Sequence, residues 1–430
     1  MLHDHTSLPI DAASAKKLAK GDLRLALVDT SDAPAYEEWV QVSNRGFHGG
    51  QLNDEQSVGM RDGMADRRTT GVFDGDAVVG TVNAFPSPVT VPGNRELPAW
   101  AISMVTVAQT HRRRGIAREL LESELRTAVA LGIPMAMLTV SESTIYSRFG
   151  FAPATMAANL TINTRRARYI GPTPGGSVRF VEIDQLRPLV DELYARWRVL
   201  SPGEIEVWPR RWDRIIGLTD EAKKDVTKLP RAVRYDDANG VLQGFAVYSV
   251  KENEEDFPAS GAELLYMMAP SVDAYAALWR FLLELDLVAT ITAHLRPVDE
   301  AVRWQVNDFR AVKVETYDHL WLRILDVPTV LQAREYYASA NLVIEVTDEL
   351  GHAGGTFAFA SNEGTTVVEP VETPAALTMS INELSALYLG GISAVTLQQA
   401  GRIHEHVPGS VQQLDAAFHS PVTPWLSVWF

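Results

Sequence analysis

Three consecutive arginines are followed by a glycine at residues 112–115, in a chain of 430 residues whose formal net charge is −15. Arginine carries a fixed positive charge and a fork of N–H donors that suits phosphate oxygens. Glycine has no Cβ, so a ligand can approach the backbone closely at that position. The local positive charge therefore indicates a site for a small anion, such as a pyrophosphate, in an otherwise acidic protein.

The neighbouring sequence predicts a strand before this loop and a helix after it. The strand is AWAISMVTV (99–107), and the helix begins at Gly115 with one apolar face formed by Ile116, Leu120, Leu121, Leu125 and Val129. The first N–H groups of a helix have no partner within it, and the helix dipole makes that end positive. Such an arrangement can bind a pyrophosphate. For an isolated arginine triplet, a solvated loop or a surface patch for anionic partners would be the better interpretation; the position between a strand and an amphipathic helix favours the anion site.

The composition restricts the class of function. The acidic balance argues against nucleic acid, whose binding rests on neutralising phosphates with Lys and Arg, although it can attract cationic ligands. Neither a long apolar run nor a basic and apolar leader is present, so we expect no membrane span and no signal peptide. Cysteine is absent, which fits a cytoplasmic protein. We expect no metal, because the tight spacing of HDH (3–5) and HEH (404–406) points neighbouring side chains to different sides.

The order of predicted elements recurs along the chain. In the first part, residues 23–29 predict a strand, Asp32 caps a helix, residues 71–85 predict a hairpin, and a buried strand (135–140) follows the arginine loop. A Pro- and Gly-rich passage (169–177) predicts the first linker. Aligning Ala269 with Ala108 places residues 273–276 opposite the arginine loop, so a second copy keeps the pattern but has lost the arginines and the glycine. From about residue 320 the sequence predicts a small α+β domain.

The segment VTVAQTHRRRGIARELL resembles the acetyl-coenzyme A-binding motif of the GNAT acetyltransferases, with the pattern Arg-x-x-Gly-x-Ala at Arg112, Gly115 and Ala117. Together with SRFGF, the helix ALWRFLLELD and the terminal aromatic residue, the whole chain resembles the enhanced intracellular survival (Eis-type) N-acetyltransferases of actinobacteria. The resemblance implies an α/β (α+β) fold class, with tandem GNAT folds that each have a mixed β-sheet flanked by helices. The implied domains are a catalytic GNAT domain (1–168), a degenerate GNAT domain (169–317) and a sterol-carrier-like α+β domain (318–430).

The same resemblance implies acetyl-CoA as co-substrate and indicates the residues that contact it. The strand end would offer backbone groups to the pantetheine arm, from Val105, Thr106 and Val107. The loop and the helix start would enclose the pyrophosphate, with Arg112, Arg113, Arg114, Gly115, Ile116, Ala117 and Arg118. Ser141 and Glu142, just past the next strand, would also line the cofactor. Simple strand packing is the alternative interpretation of Val105 and Val107.

An amine that attacks the thioester directly needs no enzyme nucleophile, which suits a chain without cysteine. The resemblance places the general acid at Tyr146. A phenol has an ordinary pKa of about 10, so it is protonated at neutral pH and can donate a proton. It places the base at the C-terminal carboxylate of Phe430. A free α-carboxylate, with a pKa of about 3.5, is a weak base that burial would strengthen. Without the resemblance, packing is the better interpretation of Tyr146, and a structural anchor is the alternative for Phe430.

The function that the resemblance implies is N-acetylation of primary amines on polycationic small molecules such as aminoglycosides, often at more than one amine. It also implies a homo-hexamer. Trp39 and Phe47 are candidates for lining the acceptor pocket, and both are equally good core residues. The alternative function is a lipid or hydrophobic-ligand carrier that uses the third domain and retains a vestigial transferase unit. The intact motif from Arg112 to Ala117 argues against that alternative.

Overall fold

The computed structural model describes residues 5–219, 229–362 and 364–430, so His3 and Asp4 of the HDH pattern lie outside it. Two compact units are present. The first comprises Met1–Thr155, His319–Pro421 and Trp429–Phe430, and the second comprises Met156–Asp318 and Val422–Val428. The chain thus leaves the first unit near residue 155 and returns to it near residue 319. The domain limits at 168/169 and 317/318 remain a prediction.

The first part of the chain contains both helices and strands. The helices are α1 (Ala12–Ala19), α2 (Ala33–Gly46), α3 (Asp54–Asp62), α4 (Ile116–Ala130) and α5 (Ser143–Tyr146). The strands are β1 (Leu23–Leu27), β2 (Arg68–Asp74), β3 (Ala77–Val91), β4 (Arg95–Val107), β5 (Met135–Thr139) and β6 (Ala152–Pro153). The strand predicted at 23–29 is confirmed over Leu23–Leu27, and the hairpin around Asp74–Gly75 and the helix that follows Gly115 are confirmed. Asp32 caps α2 as predicted, because its carboxylate accepts the N–H of Ala35.

The second unit is built on one sheet with the order β13-β7-β12-β11-β10-β9-β8. Its strands are β7 (Met156–Asn163), β8 (Ser177–Val181), β9 (Arg231–Asp236), β10 (Leu242–Lys251), β11 (Ser260–Met268), β12 (Val288–Arg296) and β13 (Val312–Asp318). Its helices in the described ranges are α6 (Ile183–Arg198), α7 (Pro209–Ile215) and α8 (Val272–Leu283). The Pro- and Gly-rich passage at 169–177 joins β7 to β8, two strands of this same sheet.

The last part of the chain completes the first unit. Its elements are β14 (Leu320–Ile324), α9 (Val327–Ala333), β15 (Ala340–Thr347), β16 (Gly355–Asn362), β17 (Thr365–Pro370), β18 (Leu377–Ser380), α10 (Ile381–Leu387), α11 (Ala394–Gln399), β19 (Ile403–Glu405) and α12 (Ser410–Phe418). Strand β14 inserts into the first sheet, whose order is β1-β2-β3-β4-β5-β14-β6. The remaining strands form a separate sheet with the order β17-β16-β15-β18-β19.

Helix α4 packs against the first sheet through the apolar face that its sequence predicts. Leu120, Leu121 and Leu125 are fully buried, whereas Val129 is 45% exposed, so the prediction is wrong for that residue. Val129 lies in the last turn of α4, just before the chain reverses at Gly132. Glu124 is also buried on α4 and accepts the indole N–H of Trp100 at 3.0 Å. This packing fixes the position of the helix start relative to β4.

Candidate active site

A cleft of about 1400 Å³ opens in the first unit beside the end of β4 and the start of α4. The parallel ladder between β4 and β5 pairs Trp100 with Ala136 and Ala101 with Met137. Strand β4 then runs on to Val107, while β5 ends at Thr139. Because the two strands part beyond this short ladder, a ligand has access to the backbone of β4.

A β-bulge turns the end of β4 relative to its neighbour β3. The register between β3 and β4 shifts just after Thr81, and Met104 has a left-handed φ of 53°. The Thr81 hydroxyl donates to the Met104 carbonyl at 2.8 Å and lies 2.7 Å from the Thr106 hydroxyl. Bulges commonly redirect a strand next to an active site. The three predicted strand contacts all line the cleft: Val105, Thr106 and Val107.

Helix α4 starts at Gly115, which has a φ of 81° and no side chain with which to cap the helix. A Cβ built on Gly115 would meet no atom within 4 Å, so the space over the helix start is open. The N–H groups of Ile116, Ala117 and Arg118 are in the first turn and have no partner within the helix. Gly115 and these three residues all line the cleft, so the residues predicted for a pyrophosphate site lie together there.

The predicted arginines fall into two groups. Arg112, Arg113 and Arg118 line the cleft, and none of them has an ion-pair partner in the part of the chain that the structure describes. Arg114 instead donates to the Asp74 carboxylate at 3.2 Å and to the Gly21 carbonyl at 2.7 Å. Hydrogen bonds from His111 and Arg114 hold the pKa of Asp74 below its ordinary value. The Arg114 side chain therefore ties the loop to the end of β2 and is directed away from the cleft.

Two further arginines, which the sequence analysis missed, also line the cleft. Arg45 lies in the last turn of α2, and Arg148 lies in the SRFGF segment. The carboxylates in the lining are Glu142 and Glu119, and Glu119 is paired with Lys17 at 3.2 Å. Positive charge therefore predominates, as an anionic ligand requires. Arg148 could have been predicted from the sequence, because it lies in a segment that supports the family resemblance. Nothing in the sequence around Arg45 distinguishes Arg45 from other surface arginines.

Tyr146 lies at the end of α5 and lines the cleft, although the residue is only 6% exposed. Its ring packs edge-on against Phe151, with the centroids 6.4 Å apart. Burial raises the pKa of the Tyr146 phenol above its ordinary value, while the Ser141 side chain opposes that shift. The phenol is therefore protonated at neutral pH. The predicted contacts Ser141 and Glu142 line the cleft next to it.

Phe430 lies beside β3 and β5 in the first unit. The Thr139 hydroxyl donates to the Phe430 main-chain oxygen at 3.0 Å, and the Phe430 ring meets the Phe85 ring edge-on at 6.2 Å. Trp429 packs against His319 with ring centroids 4.5 Å apart and is 38% exposed. Thr139 ends β5, two residues before Ser141 enters the cleft wall.

The two aromatic candidates for the acceptor pocket differ. Phe47 lines the cleft and is 49% exposed. Trp39 is fully buried, and its indole N–H donates to the Thr70 carbonyl at 2.9 Å, so it is a core residue. Within the described ranges, no group of three or more His, Asp or Glu side chains is placed to hold a metal ion.

Comparisons with known proteins agree with this geometry. Models of an acetyltransferase (GNAT) domain match residues 28–154 and 203–324, and a model of a sterol carrier protein domain matches residues 327–427. An "Uncharacterized N-acetyltransferase" of Streptomyces avermitilis is 36% identical over 397 residues, which cover 90% of this chain and 95% of the relative. N-acetyltransferase Eis of Mycobacterium tuberculosis is 34% identical over 360 residues, covering 82% and 86%. The chain belongs to the Eis-type N-acetyltransferases.

Solved structures support the same assignment. Eis1 from Mycobacterium abscessus has a TM-score of 0.83 at 29% identity, covering 95% of this chain and 100% of its own. A GCN5-related N-acetyltransferase from Anabaena variabilis has a TM-score of 0.80 at 19% identity, covering 95% and 100%, and shares the fold. The prediction of tandem GNAT folds followed by a sterol-carrier-like domain is thus confirmed for this Eis-type chain.

The GNAT fold implies that the Eis-type enzyme uses acetyl-CoA. The residues of the cleft fit this molecule, because guanidinium groups with no ion-pair partner among the described residues surround a helix start that no side chain of its N-cap residue caps. The open space over Gly115 would admit the pyrophosphate without a steric clash.

Proposed function

We propose that the first unit transfers acetyl groups from acetyl-CoA to primary amines of polycationic small molecules such as aminoglycosides, at more than one amine per molecule. The observation that carries this proposal is the juxtaposition of Arg112, Arg113 and Arg118 with the buried phenol of Tyr146 in one cleft. The net charge of −15 also favours the approach of a cationic acceptor to the protein.

In this proposal, different elements of the cleft contact different parts of the cofactor. The backbone at the end of β4, Val105 to Val107, meets the pantetheine arm, and Ser141 and Glu142 line it from the other side. The start of α4, together with Arg112, Arg113 and Arg118, holds the pyrophosphate. Arg114 contributes through its backbone and through its hydrogen bonds to Asp74 and Gly21, which fix the shape of the loop.

Acetyl-CoA supplies an activated acetyl group, and the residues of the chain manage two protons. The acceptor nitrogen forms the new bond to the acetyl carbon as the carbon–sulfur bond breaks. Tyr146 donates its phenolic proton to the departing sulfur. In a polypeptide that ends at Phe430, the terminal carboxylate attracts the ammonium group and takes the proton that the amine must lose. The Thr139 hydroxyl, which donates a hydrogen bond to the Phe430 main-chain oxygen, holds that carboxylate in place.

The reaction is tested by measuring thiol release from acetyl-CoA with a panel of aminoglycosides, polyamines and lysine peptides, and by counting acetyl additions by mass spectrometry. We expect turnover with several multi-amine acceptors and products that carry more than one acetyl group. Absence of turnover across the whole panel would contradict the proposal. It would favour a hydrophobic-ligand carrier that uses residues 327–427, the region matched by the sterol carrier protein domain.

The role of Phe430 is tested by adding two residues after it, with the same two residues added at the N-terminus as a control. We expect the C-terminal extension to reduce kcat by about 100-fold or more, the scale of losing an acid–base group, with the affinity for acetyl-CoA unchanged. A C-terminally extended protein that turns over at the wild-type rate would remove the carboxylate from the mechanism.

The homo-hexamer and the cytoplasmic location belong to this proposal as predictions. Native mass spectrometry of the purified protein measures the number of subunits. Fractionation of the producing cell measures the location of the protein. None of the helices in the described ranges is long and apolar enough to cross a membrane.

A further inference from the structure

Residues Val422–Val428, here called the C-terminal strap, belong to the second unit although the residues on either side of them belong to the first. The strap is irregular in conformation, yet Pro424 to Val428 are all buried. A chain terminus is usually mobile unless specific contacts tie it down. The contacts that tie the strap are therefore informative.

Trp425 is the first anchor of the strap. Its indole N–H donates to the Leu295 carbonyl at 2.8 Å, and its backbone N–H donates to the Pro202 carbonyl at 2.8 Å. The Arg296 guanidinium lies 5.2 Å from the centroid of the Trp425 ring. The centroids of the Trp197 and Trp425 rings are 5.7 Å apart. Leu295 has a φ of 53° where the register of β12 shifts, and its carbonyl receives the strap.

Glu204 is the second anchor, and the residue has no solvent exposure. One carboxyl oxygen accepts the backbone N–H of Ser427 at 2.9 Å, and the other accepts the Tyr194 hydroxyl at 2.9 Å. The Ser427 hydroxyl lies 3.1 Å from the Tyr266 hydroxyl. Burying a carboxyl group is costly unless its oxygens are hydrogen-bonded. Glu204 therefore binds the strap. Without the Glu204 side chain, the backbone N–H of Ser427 would lose its buried hydrogen-bond acceptor.

We propose that Glu204 is a positioning residue for acetyl transfer, because it fixes Ser427 and so restricts where the chain can place the carboxylate of Phe430. This inference rests on the role given to Phe430 in the proposed function. The three residues after Ser427 span at most about 10 Å even when extended, so displacement of Ser427 would be passed on to the terminal carboxylate.

The anchor also predicts a dependence on pH. Burial raises the pKa of Glu204 to about 8, although hydrogen bonds from Ser427 and Tyr194 offset part of the shift. The ionisable groups facing it are Tyr194 and Arg198 on α6 and Tyr266 on β11. Burial raises the pKa of both tyrosines well above the ordinary value, so they stay neutral while Glu204 titrates.

The sign of the effect follows from the ordinary pKa of a glutamate. Because the folded-state pKa of about 8 is above the ordinary 4.5, Glu204 is favourable to folding below pH 4.5 and loses that contribution as the pH rises through 8. A buried, ionised Glu204 should loosen the strap. We expect kcat of the wild-type protein to fall above about pH 8 more steeply than kcat of Glu204→Gln, which cannot ionise.

The experiment compares Glu204→Ala with Glu204→Gln, using Asp236→Ala as a control. Asp236 is another buried carboxylate of the second unit, but it pairs with Arg234 on β9. Hydrogen exchange is measured on peptides covering 425–430, together with kcat and the Kd of acetyl-CoA. We expect Glu204→Ala to speed strap exchange and lower kcat by about tenfold or more, the effect of losing a hydrogen bond to a charged or buried group. The Kd should stay within about twofold. At neutral pH, Glu204→Gln, which keeps the acceptor for Ser427, should behave like the wild type, and Asp236→Ala should leave strap exchange unchanged.

Unchanged strap exchange in Glu204→Ala, or an equal defect in Glu204→Gln, would overturn the inference. If Glu204→Ala does not fold, Tyr266→Phe removes a contact to Ser427 while keeping the carboxyl group, and it should give a smaller change of the same kind. The C-terminal extension separates the two proposals. If the extension lowers kcat but Glu204→Ala does not, the inference is wrong and the role of Phe430 stands. If neither changes kcat, the role of Phe430 is wrong and this inference fails with it.

Discussion

Helices α4 and α8 each follow a long strand at the start of a parallel crossover, but they begin in opposite ways. Helix α8 starts at Ser271, whose hydroxyl accepts the N–H of Ala274 at 3.1 Å, and Asp273 lies in its first turn. Helix α4 starts at Gly115, so its first N–H groups have no side-chain cap from that residue. A capping hydroxyl uses one of the donors that an anion would need, and a carboxylate repels the anion. The start of α8 is therefore stable by itself, and the start of α4 suits a ligand.

The strands before and after these helices differ in the same sense. In the second unit, β11 and β12 pair from Ser260–Val288 to Leu264–Ala293. In the first unit, the ladder between β4 and β5 contains only the pairs at Trp100 and Ala101. The longer ladder of the second unit satisfies more of the backbone between the two strands, but it ends at Leu264 and does not reach the last residues of β11. The two units therefore differ most clearly at the helix start, which a side chain caps in α8 and which is left open to a ligand in α4.

The largest effect expected from this comparison is on the acid. Tyr146→Phe should lower kcat by about 100- to 10,000-fold, because the departing sulfur loses its proton donor. Tyr248→Phe is the matched control, since Tyr248 is a buried tyrosine of the second unit whose pKa is also raised by burial. Steady-state kinetics with a multi-amine acceptor measure both. Full activity in Tyr146→Phe would reduce this tyrosine to a packing residue.

The next effect concerns the open helix start. Gly115→Ala should raise the Kd of acetyl-CoA by about tenfold or more, because the new Cβ enters the space over the N–H groups. Gly132→Ala is the control at the other end of α4, with a φ of 69° and an equally open Cβ position. Both substitutions should destabilise the fold by a similar amount, about 1–2 kcal/mol, since both glycines have a left-handed backbone conformation that alanine disfavours. Calorimetric titration and thermal unfolding separate binding from strain. Equal Kd values for the two variants would contradict the assignment of the pyrophosphate site.

A smaller effect should distinguish the arginines within the loop. Arg113→Ala should weaken acetyl-CoA by about tenfold, because a hydrogen bond to a charged group is worth about 1.5–3 kcal/mol. Arg114→Ala should weaken it less, since the Arg114 side chain is engaged with Asp74 and Gly21. Titrations at low and high salt should show a stronger salt dependence for the interaction made by Arg113. The reverse ranking would mean that Arg114 leaves Asp74 to bind phosphate.

The smallest effect on binding should come from the closed helix start of the second unit. Ser271→Ala should cost about 1 kcal/mol of stability through loss of the cap, while leaving the Kd of acetyl-CoA unchanged. Chemical unfolding and calorimetric titration check the two quantities. A weakened Kd in Ser271→Ala would show that α8 takes part in binding, against the comparison drawn above.

The sequence was most informative where one segment determines the local structure. Periodic apolar residues predicted α4, and the glycine after a basic triplet predicted the open helix start. Contacts distant in sequence were not predictable. Nothing in the triplet distinguishes Arg114 from its neighbours, because its partners Asp74 and Gly21 come from other parts of the chain. Trp39 and Phe47 are equivalent aromatic candidates in sequence, and only tertiary packing makes one a core residue and the other a cleft residue.

The insertion of β14 between β5 and β6 has a consequence for biosynthesis. Strand β6 ends at Pro153, and within the described residues it joins the sheet through β14, which begins at Leu320. A ribosome must therefore translate the second unit before the edge of β5 can be covered. The nascent first unit keeps an unpaired strand edge during that interval, which is the kind of surface that chaperones protect from aggregation. Pairing over so long a loop also predicts slow maturation of the first unit.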